Sequence, residues 1–163
     1  MNIFLTIFIT ALLLAAVPIP KTCCKGAVEV QVGEPLEQQV GELGIIAAAA
    51  KRNNCRGDDF LILLAIRRAE NGGHGREFGI LDEKCQAKIN KHPERSLDIQ
   101  AGWAAATIVK NRRRWELERC PGKFIDYLGD RYCPKKADPQ GNENWKVNVK
   151  FFYGRFKNGE KAI

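Results

Sequence analysis

Apolar positions recur along most of this chain at intervals of three and four, the spacing of helices with one buried face. The strongest segment runs Phe60-Leu61-Ile62-Leu63-Leu64-Ala65-Ile66-Arg67-Arg68-Ala69. It is too continuously apolar for a half-exposed strand, and Asp58 or Asp59 can cap its first turn. Gly72 or Gly73 offers the left-handed conformation that stops a helix. Glu70 is therefore expected in the last turn, with Ile66 and Leu63 beneath it at spacings of four and seven. An earlier helix is predicted over Leu36 to Arg52, opened by Pro35 and ended at Asn53-Asn54. A third follows Pro93-Glu94-Arg95-Ser96. Leu97, Ala101, Ala104, Ile108 and Trp115 form its stripe, and its small residues invite the Glu70 helix as partner. Pro121 begins a fourth helix, stopped by Gly129. A last one, capped by Asn142 or Asn144, places Trp145, Val149 and Phe152 on one side before Gly154. Between Glu70 and the third helix, the glycine-rich stretch from Gly72 to Ile80 reads as a loop or small hairpin, where a cleft can open.

The pattern is different at the N-terminus. Ile3 to Ile19 is nearly all apolar and uncharged, with Ala15-Ala16-Val17 near its end, so residues 1–20 are expected to be a signal peptide or an N-terminal membrane anchor. Length favours the cleaved signal. Val28, Val30 and Val32 alternate with polar residues, so 21–34 reads as a linker or short strand, and 35–163 as one domain with its own core.

Six cysteines, at 23, 24, 55, 85, 120 and 133, form no CxxC pair, and the two histidines, His74 and His92, share no ligand spacing with them. No metal site and no cofactor are expected. An even cysteine count behind an export signal points to disulfides, up to three, with buried thiols as the alternative. The formal net charge is +7, and its densest patch is Lys110-Asn111-Arg112-Arg113-Arg114-Trp115. Such a patch contacts nucleic acid, anionic lipid or an acidic glycan, or is simply a solvated helix end. Export argues against nucleic acid.

Glu70 borders apolar surface at the negative end of a helix, and both effects raise the pKa of a carboxyl, which suits a general acid. Arg67, at spacing three, would oppose this by pairing with it.

The string Ala65-Ile66-Arg67-Arg68-Ala69-Glu70-Asn71-Gly72-Gly73 resembles the first motif of soluble lytic transglycosylases and goose-type lysozymes in the lysozyme superfamily. There, an apolar helix ends in the catalytic glutamate, usually followed by serine; Asn71 stands in the serine's place. Gly75-Arg76-Glu77-Phe78-Gly79-Ile80 resembles the cleft-lining second motif but lacks its terminal glutamine. The third, tyrosine-bearing motif is not recognisable; Tyr132 ranks ahead of Tyr127 and Tyr153 for that role. The resemblance covers roughly residues 58 to 155. It implies a mainly α fold (α+β, lysozyme-like), Glu70 as the catalytic residue, and Glu77, Phe78, Gly79, Gln100 and Tyr132 as substrate-binding residues.

The implied activity is cleavage of peptidoglycan at the MurNAc-GlcNAc β-1,4 bond by a monomer that is secreted, periplasmic or envelope-bound, with membrane association only through residues 3–19. Glu77, Asp82, Glu83 and Asp126 are the candidates for a second carboxylate, should the reaction be a hydrolysis. The alternative is a non-catalytic envelope protein that binds the wall.

Overall fold

The computed structural model describes residues 41–160, and among them it contains six α-helices and no β-strand. They are α1 (Glu42–Arg52), α2 (Gly57–Glu70), α3 (Glu83–Lys91), α4 (Ser96–Leu117), α5 (Phe124–Tyr132) and α6 (Pro139–Lys157), with a 3₁₀ turn, Pro93–Arg95, leading into α4. The expected signal or anchor, the valine-rich segment and residues 36–40 of the first predicted helix lie outside the described residues. Among the described helices none is long and apolar enough to cross a membrane.

The apolar run became α2 and the centre of the core. Ile62, Leu63 and Ile66 are at most 2% exposed, each worth on the order of 1.5–3 kcal/mol of burial. Asp59 accepts the Arg56 amide at 3.2 Å at the first turn. The far end is closed by Asn71 at φ 44°, not by either glycine. Asparagine tolerates the left-handed region better than other side chains, so the helix ends one residue earlier than the glycines suggested. Arg67 turns from Glu70 to Glu42, with Nε 2.5 Å from its carboxylate.

The neighbours of α2 and α4 also differ from expectation. The main partner of α2 is α6, while α4 packs chiefly on α1 and less on α2. The reason lies in small buried residues on both helices, Ala49 and Ala50 of α1 and Ala101, Ala104 and Ala105 of α4, which let helices approach closely.

Helix α3 was not foreseen. Only Cys85 and Ile89, four apart, are its buried residues, too few to register as a stripe, although Asp82 caps it through the amides of Lys84 and Cys85. Gly129 does not stop α5. It lies inside the helix where α6 crosses, and a Cβ there would come 2.7 Å from Lys146 Cγ. Helix α6 starts at Pro139 with Asp138 as cap, accepting Gly141 N–H at 2.8 Å, and runs past Gly154. Asn142 is instead buried, donating to the Gly129 carbonyl at 3.0 Å and that of Cys133 at 2.5 Å.

No disulfide joins any two of the described cysteines, Cys55, Cys85, Cys120 and Cys133. They sit in separate places: the α1–α2 turn, α3, the segment after α4, and the end of α5. Cys23 and Cys24 lie outside the described residues.

Candidate active site

Glu70, the last residue of α2, forms one wall of a cleft of about 320 Å³ also lined by Gly79, Tyr132, Cys133, Trp145 and Asn148. Three parts of the chain meet there: the end of α2 with the loop that follows, the end of α5, and the middle of α6. Trp145 donates its indole N–H to Glu70 Oε1 at 2.9 Å. Its ring stacks on Tyr132, centroids 5.1 Å apart, and Tyr132 donates its hydroxyl to the Phe78 carbonyl at 2.6 Å. Gly79, at φ +67°, brings the loop against the carboxylate; a Cβ there would lie 2.7 Å from Glu70 Cδ. Any larger residue would displace the acid.

The loop is held from beneath. Gln100, with no exposure, donates to the carbonyls of Gly75 at 3.0 Å and Ile80 at 2.8 Å, and accepts the amides of Phe78 and Ile80, both at 3.3 Å. Gln86 donates to the same two carbonyls. Ser96 accepts Gly75 N–H at 2.8 Å and donates to Glu77 Oε1 at 2.6 Å. Buried amides matched in this way fix the backbone that presents Gly79, because each unmatched group would cost about 1–3 kcal/mol.

Burial pushes Glu70 above the usual carboxylate range, and the Trp145 hydrogen bond, which favours the charged form, pulls it partly back. Tyr132 is pushed well up by burial, then by the negative charge of Glu70 and by Cys85, so it remains a phenol. A carboxyl that holds its proton to higher pH than usual, beside an aromatic wall, is suited to donate that proton to a bound ligand and later take one back. Among the described residues lining the cleft, Glu70 is the only carboxylate.

Comparison with family models, curated proteins and solved structures yields no match. The site must therefore be read from its own chemistry.

Of the residues singled out in the sequence, the cleft gathers Glu70, Gly79 and Tyr132. Phe78 points into the core, while its carbonyl holds Tyr132; Gln100 lies beneath the loop, and Glu77, a loop residue, is buried with its carboxylate on Ser96. Glu77 is 7% exposed, and its Oε2 has no partner among the described residues. The other candidate carboxylates are engaged elsewhere or stand in water: Asp82 caps α3, Asp126 pairs with Lys150, and Glu83 is exposed. Tyr127 and Tyr153 do not line the cleft.

Sequence reasoning missed Trp145 as a partner of Glu70. The two are 75 residues apart, and the tryptophan reads as one more member of a core stripe. Ser96 and Gln86 were missed as well; neither carries a local signal beyond polarity. Among the described residues no group of His, Cys, Asp and Glu is placed to hold a metal ion.

Proposed function

We propose that this chain cleaves the β-1,4 bond between N-acetylmuramic acid and N-acetylglucosamine in peptidoglycan as a lytic transglycosylase, with Glu70 as its one general acid and base. The carrying observation is a half-buried carboxyl with a raised pKa that stands alone, as a carboxylate, among the described residues of an aromatic-walled cleft. A hydrolase of the usual kinds needs a second carboxylate, about 5–5.5 Å away for retention or about 6.5–9.5 Å for inversion. A transglycosylase does not.

In the proposed reaction, protonated Glu70 gives its proton to the glycosidic oxygen as the bond to the sugar's C1 breaks. The positive charge that develops at C1 is captured by the 6-hydroxyl of the same ring. The Glu70 carboxylate accepts that hydroxyl's proton, which closes a 1,6-anhydro ring and restores the acid. Trp145 supports the first half by hydrogen-bonding the carboxylate that proton donation leaves behind, and the Tyr132 oxygen keeps lone pairs free to accept from a substrate hydroxyl or amide. The resemblance of the Glu70 and Gly75–Ile80 strings to a lysozyme-like domain agrees with a mainly helical chain whose loop follows the acid-bearing helix. Export through residues 1–20 would deliver the protein to such a substrate.

The test is incubation of purified protein with cell walls, followed by mass spectrometry of the soluble products. Muropeptides with anhydro ends are expected. Reducing ends would make it a hydrolase, and binding without release would make it a wall-binding module.

A further inference from the structure

We infer that the outer face of α4 is a docking groove for an anionic wall glycan, separate from the Glu70 cleft, an inference that rests on the peptidoglycan reading above. Two cavities of about 670 and 540 Å³ lie along this face and share Asn53 and Ala106 in their walls, so they adjoin end to end as one trough-like surface. Its floor is a single stripe of α4: Trp103, Ala106, Lys110, Arg113 and Leu117, at spacings of three and four. The opposite stripe, with Gln100, Ala104 and Ile108, is buried. From Trp103 to Leu117 the floor is about 21 Å long, which suits an extended chain better than a small ion.

The walls are cationic. Lys88, Lys91 and Arg52 flank the Trp103 end, and Arg114 stands beside Arg113 at the other. The one carboxylate among the described lining residues is Asp98, already taken up by Arg52 and Arg95. Among the described residues no carboxylate pairs with Lys88, Lys91, Lys110, Arg113 or Arg114. Cations spread along a trough without counter-charges attract a polyanion, and release of its counterions supplies the affinity. Single-stranded nucleic acid is gripped by successive aromatic platforms set among the cations, whereas this trough offers one indole, Trp103, with Lys88 above it. A carboxylate-bearing glycan needs fewer platforms.

The structure also divides the Lys110–Trp115 patch. Arg112 is not part of the groove; it pairs with buried Asp59 at 2.7 Å and lies 3.7 Å over the Phe124 ring.

The experiment uses Glu70→Gln protein, so that the wall is not consumed, co-sedimented with purified peptidoglycan at low and moderate salt. Adding Lys88→Gln, Lys110→Gln and Arg113→Gln, all exposed positions, is expected to lower wall affinity about tenfold or more at low salt and to flatten its salt dependence. An unchanged melting temperature would confirm the fold. Affinity within about twofold of the parent would overturn the groove. A single-stranded DNA oligonucleotide that binds the parent at least as tightly, and loses binding with the same substitutions, would overturn the choice of glycan. If wild-type protein releases no wall fragments yet sedimentation depends on these cations, the enzymatic reading fails and the groove stands. Release together with groove-independent binding is the reverse.

Discussion

In the Glu70 cleft one carboxyl stands half-buried between the loop and two aromatic rings; along the outer face of α4, cations stand in water with no carboxylate partner among the described residues. Burial makes the first charge costly and therefore tunable, so a single indole hydrogen bond alters how readily the proton leaves. Exposure makes the second set cheap, long-ranged and sensitive to salt. The two kinds of charge meet in consecutive residues. Arg112 turns inward to Asp59, which is 2% exposed, while Arg113 turns outward.

That contrast is broken most severely at Arg112. Arg112→Met leaves Asp59 buried without its charge partner and is expected to cost about 3–5 kcal/mol in denaturant unfolding. Arg113→Met should change stability by no more than about 0.5 kcal/mol. Equal losses would erase the distinction between the two arginines.

A smaller effect is expected beneath the loop. Gln100→Leu removes the acceptor of the Phe78 and Ile80 amides, while Gln86 still covers the carbonyls of Gly75 and Ile80. The loss should be about 2–3 kcal/mol, with hydrogen exchange at the Phe78 and Ile80 amides accelerated first. Exchange that rises evenly across α4 would mean that Gln100 supports the helix and not the loop.

The subtlest change is Trp145→Phe, which keeps a ring against Tyr132 and deletes the hydrogen bond that favours ionised Glu70. Without it Glu70 holds its proton to higher pH. Because the proposed first step needs the protonated acid, the alkaline limb of kcat/KM should move to higher pH. A limb that stays in place would separate Trp145 from the titrating group.

How much of this could be read in advance follows from where each signal is stored. Helix α2 was legible because its apolar run is long, and the position of Glu70 followed from it. Tyr132 could be ranked among the tyrosines only through the resemblance of neighbouring motifs. Asn71 was passed over as the helix stop because two glycines follow it. Helix α3 carries its burial on two residues and escaped notice. Trp145 reaches Glu70 from 75 positions away, and only the packing of α6 on α2 brings them together. The basic run from Lys110 looked uniform in sequence because helical phase decides which arginine meets the core, and Arg112 shares the inward side with Ile108 and Asn111.

The central claim is that Glu70 is the one acid and base of a glycan-cleaving site. Glu70→Gln keeps the side chain's size and an oxygen to accept from Trp145, so wall binding should persist while muropeptide release falls by about 100-fold or more. Since the raised pKa means that the folded chain holds this proton more tightly than the unfolded one, wild-type stability declines as pH rises through the folded pKa. The glutamine carries no such penalty, and its melting temperature should gain on the wild type as pH rises. Measured together on one preparation, lost release with an intact fold is the predicted result. Release at the wild-type rate from folded Glu70→Gln protein would contradict it.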